Sequence, residues 1–387
     1  MRILFLTKQQ YMAKDLLADR FGRFYEIPRV LAQSGHQLRG VCLKYWPTAT
    51  DAAATRPCEY VEWSSFTLGR NWPLGFIKHY RRLAQITVKF KPDIIVGVSD
   101  SAHAVMASWL AAKFGIPYAV DLYDNFESYR ATRVAAMKPL LRRAVRNAAA
   151  VSVVSETLRT KVENDYQPAG TVRAITNAIA PEIFHPADRM AARRRLGLPE
   201  AKTLIGTAGS LVRERGIETL YSAFDKLTKK GMNLCLVLAG PTERRPVSSL
   251  DNGIIYLGEL PHERVGDLFN ALDVGIICNR DDAFGRYCFP QKLYEMLACE
   301  LPVVAADVGA MRGLLPAAER FLFDPDNVAS LAKAISGQLE TRHLPVVAIP
   351  TWNDCGLQFG NLLEAGVTAA SRSLSKIETA PLRADEL

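Results

Sequence analysis

Lys292 and Glu295 stand three residues apart in a segment whose residue types point to chemistry. The segment reads Phe284-Gly285-Arg286-Tyr287-Cys288-Phe289-Pro290-Gln291-Lys292-Leu293-Tyr294-Glu295-Met296-Leu297-Ala298-Cys299, then Glu300-Leu301-Pro302-Val303-Val304-Ala305-Ala306. Pro290 suits the first helical position, where its missing N–H costs nothing. Leu293, Met296 and Leu297 fall at i, i+3 and i+4 and form a buried face, while Lys292 and Glu295 share another. A helix start offers free N–H groups and a positive dipole end, which favour an anion. Lys292 adds a positive charge there. Glu295 presents two oxygens to a pair of hydroxyls, such as a ribose carries. A diphosphate at the helix end with its ribose on Glu295 is a coherent site. An amphipathic helix with a solvated Lys–Glu pair is the plainer reading, and the residues alone leave both open.

A second group of candidates follows the strand ending at Val120: Asp121-Leu122-Tyr123-Asp124-Asn125-Phe126-Glu127. Asp124 or Asp121 can orient or deprotonate a hydroxyl, with Glu127 in reserve; the same acids can simply cap a helix. His103, after Ser99-Asp100-Ser101, also sits near a strand edge, where a structural role is the plainer one. Arg215, in Gly209-Ser210-Leu211-Val212-Arg213-Glu214-Arg215-Gly216, can grip a phosphate with two N–H groups. Asp324-Pro325-Asp326 has the spacing of a metal-binding pair, but proline and acids suit a turn.

These residues need strand ends and helix starts to hold them. Short apolar runs at 2–7, 37–43, 94–99, 118–122, 149–155 and 171–176 alternate with helical patterns at 25–34, 104–114, 134–147 and 156–163. Such alternation predicts parallel sheets with helices on both faces, with ligands at the strands' carboxyl ends. The second half repeats the scheme from Leu204-Ile205-Gly206-Thr207-Ala208-Gly209, with a further strand ending in Ala239-Gly240-Pro241-Thr242. The stretch Met190–Arg195 reads as a basic helix outside both cores.

With these landmarks in order, "FPQKLYEMLACELPVVAADVGA" at 289–310 resembles the nucleotide-binding signature of retaining GT-B-fold glycosyltransferases of the group 1 and family 4-like type. "VSVVSETLRTKV" and "ITNAIAPEIFHP" resemble two further landmarks, the second leading into the family's second domain. The resemblance runs from Arg2 to about Leu363 and implies an α/β GT-B architecture, two doubly wound Rossmann-like domains facing a central cleft. It implies an acceptor-side domain over 1–186, completed by a C-terminal helix over 352–370. A donor domain follows over 187–351, and a polar tail over 371–387.

By the same resemblance, Glu295 binds the donor ribose, and Arg215, Lys292 and the Pro290 helix end stabilise the departing diphosphate. The backbone near Leu257 holds the base. The loop Phe284, Gly285, Arg286 and Tyr287 positions the sugar, with Gly209, Ser210 and Thr242 lining the donor site. Gly22, Tyr123, His103 and Asp121 fall on the acceptor side, with Asp124 as the catalytic acid–base candidate. The sequence departs from the pattern in three places. Tyr123 replaces a histidine, Ser210 an arginine, and Tyr287 a glutamate that contacts the donor sugar.

At 387 residues the chain suits two domains of similar size. No apolar run approaches a membrane span. Seven cysteines, scattered and with no CxxC pair, indicate neither a disulfide framework nor a zinc site, and point to a reducing cytoplasm. The net charge of +8 suggests an anionic partner. Nucleic acid is not expected, because no recognition motif is present. Residues 65–82 mix Trp72 and Phe76 with Arg81 and Arg82 and contain no acid, which suits the inner face of an anionic membrane as well as a packed loop and helix. Arg130, Arg133, Lys138, Arg142, Arg143 and Arg146 form a second basic stretch, read mainly as a solvated helix face.

The expected function is transfer of a sugar from a nucleoside-diphosphate sugar to an acceptor hydroxyl, such as that of a lipid-linked glycan. The resemblance implies retention, with no metal and no cofactor beyond the donor substrate, in polysaccharide or glycolipid assembly. Two alternatives stand beside it. A GT-B epimerase would convert or hydrolyse donor without acceptor, and a non-catalytic subunit would bind nucleotide without turnover.

Overall fold

The apolar runs form parallel strands that need cover on both faces, which the intervening helices provide. The structure, a computed structural model, describes residues 1–11, 14–46, 56–58, 60–129, 132, 134, 136–243 and 253–378. Arg130 and Arg133 of the second basic stretch, and the end of the polar tail, lie outside the described residues. The chain divides into two units, Met1–Asn177 with Trp352–Leu387, and Ala178–Thr351.

In the first unit β1 (Arg2–Lys8) is followed by a two-residue pair, β2 (Gln10–Tyr11) and β3 (Lys14–Asp15). Then come α1 (Arg23–Gln33), β4 (Gln37–Lys44), β5 (Arg56–Cys58), β6 (Val61–Thr67) and α2 (Trp72–Phe90). The alternation continues with β7 (Ile94–Val98), α3 (Ser101–Phe114), β8 (Tyr118–Leu122), α4 (Met137–Arg146), β9 (Ala150–Val153), α5 (Glu156–Tyr166) and β10 (Thr171–Ala174). The sheet order is β10-β9-β8-β7-β1-β4-β6-β5, parallel except for β5 against β6. The chain winds one way from β1 and the other way from β7, so their carboxyl ends form a switch point, where such sheets bind ligands. Phe5 meets Trp63 edge-on at 6.4 Å in the core. Gly40 makes room for that indole, since a Cβ there would collide with it.

The C-terminal helix Trp352–Glu378 belongs to this unit. Its glycines permit the contact: a Cβ at Gly356 would press on Val30, and one at Gly366 would lie 3.1 Å from the Ala150 methyl.

The second unit repeats the plan. It contains α6 (Arg189–Leu196), β11 (Thr203–Ala208), α7 (Ile217–Lys229), β12 (Leu234–Ala239), β13 (Ile254–Tyr256), α8 (His262–Ala271) and β14 (Val274–Ile277). It closes with α9 (Gln291–Ala298), β15 (Val303–Ala306), α10 (Met311–Leu314), β16 (Leu322–Phe323) and α11 (Val328–Glu340). The order β13-β12-β11-β14-β15-β16 puts its switch point between β11 and β14.

Two local expectations change. The basic helix α6 is part of this unit rather than outside the cores. Arg193 is buried, donates to Asp273 at 2.8 Å and binds the carbonyls of Ala271, Glu200 and Lys202. Phe184, in the segment expected to lead into the second domain, packs on Phe269 at 6.0 Å in this unit's core.

Candidate functional site

The strongest constellation lies at the switch point of the second unit. β11 ends at Ala208, and Gly209 turns the chain with φ 108°, in the region that favours glycine. A Cβ on Gly209 would sit 3.0 Å from Lys292 Nζ, so the absent side chain lets the lysine lie against the backbone. Gly240 (φ 125°) ends β12, and a Cβ there would strike the Gly209 carbonyl oxygen. The two strand ends are therefore packed backbone to backbone. The Leu211 N–H donates to the Pro241 carbonyl at 2.9 Å, and the Thr242 hydroxyl donates to the Leu211 carbonyl at 3.2 Å. Thr242 thus ties the two loops together, and Ser210 lies exposed between them. The Leu257 N–H pairs with the Leu238 carbonyl at 2.8 Å, and the next turn is made by Gly258 at φ 73°.

Pro290 caps α9 rather than occupying its first turn. Leu293 and Met296 are fully buried, and Lys292 lies against the Gly209 turn at the end of β11. Glu295 is itself only 9% exposed and accepts a hydrogen bond from Gln291 Nε2 at 3.1 Å. Burial pushes its carboxyl up to about 7, with Lys292 and the Gln291 hydrogen bond pulling the other way. Burial, followed by the like charge of Arg215, lowers the Lys292 ammonium from its usual value. Two cations held near each other in a poorly solvated place call for an anion.

Arg215 lies flat on the Phe284 ring, its guanidinium carbon 3.4 Å from the centroid. Asp282 fixes that ring by accepting the N–H groups of Phe284 (2.9 Å) and Gly285 (2.8 Å). Gly285 has no space for a side chain, since a Cβ would meet the Arg280 carbonyl. The fold thus brings together Gly209, Arg215, Phe284, Lys292 and Glu295 from separate parts of the second unit. Arg286 is instead turned outward to Asp281 at 2.6 Å, and Tyr287 follows in the same turn, half-buried. Asp326 of the Asp-Pro-Asp turn pairs with Arg280 at 3.4 Å. No group of three or more potential metal ligands occurs among the described residues.

The first unit has its own cluster at the β1/β7 switch point. Lys8 ends β1 and is ringed by Tyr11, Tyr123 and Tyr129, whose centroids lie 5.8, 5.5 and 5.9 Å from Nζ. Lys8 Nζ donates to the Tyr123 hydroxyl at 3.2 Å, and burial lowers the Lys8 pKa against the pull of Asp100 and Asp124. The Tyr129 hydroxyl reaches both the Tyr123 hydroxyl (2.8 Å) and Asp124 Oδ2 (2.9 Å). Asp124 is buried, and its other oxygen accepts the Asn125 N–H at 2.7 Å. Asp100 caps α3, meets His103 Nδ1 at 2.8 Å and accepts the Tyr45 hydroxyl at 2.8 Å. Burial would raise its pKa, but His103 and then Lys8 bring it down to about 2. Asp124, Tyr123, His103 and Lys8 therefore form one polar cluster. Ser99, which precedes Asp100, holds φ 76°, a costly value for a residue with a Cβ.

Asp121 has another use. Arg23 Nε and Nη2 bind its two oxygens at 2.8 Å each, Ser152 donates to it as well, and both partners of the pair are about 1% exposed. Asp121 is a buried strut between α1 and β8, which removes it from acceptor chemistry. Glu127 is held by Arg142 (2.7 Å) and Lys138 (3.2 Å). Gly22 caps α1 at φ 76°, where a Cβ would press 3.1 Å from the Tyr11 ring. Sequence reasoning missed Lys8, Tyr45, Asp100 and Tyr129; the polar residues just beyond each parallel strand were the available signal.

Comparison with known proteins agrees with the two-unit fold. Residues 23–178 match the glycosyl transferase 4-like domain, and residues 188–349 match glycosyl transferases group 1. A putative teichuronic acid biosynthesis glycosyltransferase of Bacillus subtilis is 27% identical over 275 residues, covering 68% of this chain and 67% of the relative. Among solved structures, the sucrose-phosphate synthase of Thermosynechococcus elongatus superposes with a TM-score of 0.76 at 18% identity, covering 95% of this chain and 99% of that one. Anabaena HepE in complex with UDP gives a TM-score of 0.65 at 17% identity, covering 98% and 100%. With both domain models matched in order and both sheets wound as that architecture requires, the chain belongs to the GT-B-fold glycosyltransferases.

Proposed function

We propose that the protein transfers a glycosyl group from a nucleoside-diphosphate sugar to an acceptor hydroxyl, with retention at the anomeric carbon and without a metal ion. The observation that carries this reading is the set Gly209, Arg215, Lys292 and Glu295 at the second unit's switch point. Two cations suit a diphosphate, and a buried carboxyl one helical turn away suits a ribose diol. In the transfer, the acceptor oxygen bonds to the anomeric carbon as the bond from that carbon to the diphosphate oxygen breaks. The acceptor proton passes to the departing phosphate, giving the glycoside and a nucleoside diphosphate. Arg215 and Lys292 stabilise the charge growing on that leaving group, which is where preorganised cations contribute most.

The acceptor is assigned to the first unit, where Asp124, Tyr123, Tyr129 and Lys8 offer hydroxyl partners. Membrane-bound glycan or glycolipid assembly fits the surface of α2. Trp72, Leu74 and Ile77 are 61%, 52% and 49% exposed, beside Lys78 and Arg81, and the helix contains no acid. No helix among the described residues is long and apolar enough to cross a membrane, so attachment would be peripheral.

The test is incubation with candidate nucleotide sugars and bacterial lipid extract, reading products by mass spectrometry. A glycosylated product that disappears in Lys292→Ala and Arg215→Ala supports the reading. A second reading, nucleotide binding without transfer, draws on Ser210, Tyr287 and Tyr123, which stand where the family carries arginine, glutamate and histidine. It predicts nucleotide binding with no product from any acceptor.

A further inference from the structure

The first unit contains an apolar cavity that the transfer reaction does not use. It lies by Pro117, Tyr118 and Ala149, at the amino ends of β8 and β9, and therefore at the opposite edge of the sheet from Lys8, Tyr123 and Asp124. Its volume is about 700 Å3, within the range of small-molecule sites of about 300–1,000 Å3. Trp109 and Ala112 of α3, Ile116, Leu140 of α4 and Ala369 of the C-terminal helix wall it. Ser108 and Tyr118 also line it, but their hydroxyls are turned to the Val105 and Ala144 carbonyls, and Asn147 lies at its exposed edge, so most of the wall is apolar and a hydrocarbon gains there.

Among the described residues one charged group, Arg143, lines the cavity. Arg143 is exposed on α4, a helix with four cations and no acid. Its neighbours are occupied: Lys138 and Arg142 by Glu127, and Arg146 by the Tyr166 carbonyl. Arg143 makes no ion pair among the described residues. Trp109, 49% exposed at the rim, meets Tyr80 of α2 edge-on at 6.3 Å. The cavity is thereby linked to the helix that carries Trp72, Leu74 and Ile77.

We propose that this cavity receives one acyl chain of an anionic membrane lipid, with Arg143 meeting the head group. A largely apolar hollow, a cation at its wall with no ion pair among the described residues and an adjoining aromatic surface match that ligand in shape and charge. The cavity would then hold the protein on the bilayer by a specific lipid as well as by the α2 surface.

The probe is a fluorescent polyene C18 fatty acid titrated into the full chain, followed by co-sedimentation with phosphatidylglycerol vesicles. We expect saturable binding of one chain per protein. Ala369→Phe, which fills the cavity from an exposed helix position, should weaken it by at least about tenfold. Arg143→Gln should weaken the anionic probe about fivefold, the worth of one cation near an anionic surface, and leave the uncharged methyl ester unaffected. Ala369→Phe should also reduce vesicle binding, while nucleotide-induced thermal stabilisation stays at the wild-type value, which separates this test from that of the donor site. Binding indifferent to Ala369→Phe, or vesicle binding unchanged in that variant, overturns the proposal. A polyprenyl phosphate that displaces the probe more tightly than phosphatidylglycerol also overturns it, by giving the cavity to an acceptor's tail.

Discussion

Glu295 offers the sharpest quantitative test, because its two protonation states bind a ribose differently. In the nucleotide-free protein burial holds its carboxyl at about 7. Only the ionised form can accept hydrogen bonds from both ribose hydroxyls, so donor binding should draw a proton off the residue. If binding requires ionisation, affinity should rise about thirtyfold between pH 5.5 and 8 and level off above that. Calorimetry with the nucleotide sugar, rather than the free diphosphate, gives the cleaner series, since the sugar ester has no phosphate that titrates in this range. Repeating it in buffers of different ionisation enthalpy should show release of about half a proton at pH 7. Glu295→Gln should abolish both the slope and the proton release. Glu295→Ala should cost about 3 kcal/mol, or about a hundredfold in Kd, for two hydrogen bonds to a charged acceptor. An unchanged affinity in Glu295→Ala would take the residue out of the site, and a flat pH series in the wild type would refute its ionisation on binding.

Other consequences follow from the same geometry. Arg215→Ala should lower kcat about a hundredfold with a smaller change in donor affinity, and wild-type turnover would refute its role at the diphosphate. Phe284→Ala, by removing the surface under Arg215, should lower kcat several-fold, with recovery in Phe284→Tyr. Asp121→Ala should destabilise the first unit by about 3–5 kcal/mol by leaving Arg23 buried and unpaired, as read by denaturant unfolding. The nucleotide-free protein should lose stability as pH rises from 4.5 towards 7, by up to about 3 kcal/mol, because the native state then holds a proton that the unfolded chain has released; Glu295→Gln should remove that slope.

The sheets and the donor helix were legible for a simple reason. A parallel strand covered on both faces must be apolar throughout, so runs such as 94–99 and 234–238 announce themselves locally. The α9 signal is local too, since proline, two charges and a buried stripe fall within a few residues. What stayed hidden depends on distant partners. Asp121 resembles a catalytic acid until Arg23, far earlier in the chain, is found bound to both its oxygens. Arg193 belongs to a segment so basic that solvent seemed its place, yet Asp273 and three carbonyls satisfy it in the interior. Strand β6 and the length of α2 were blurred because tryptophans and arginines interrupt any clean period there. Lys8 stands just past the apolar run 2–7 with nothing local to single it out, and only the folding of Tyr11, Tyr123 and Tyr129 around it makes it a member of a cluster.

The central claim is that the second unit holds a nucleoside diphosphate between Gly209, Arg215, Lys292 and Glu295. A thermal-shift screen of UDP, GDP, ADP and their common sugar conjugates tests it most directly, run on the wild type and on Glu295→Ala. The account predicts selective stabilisation of the wild type by one base, lost in the variant. Stabilisation by none of them, or equal stabilisation of both proteins, would contradict it.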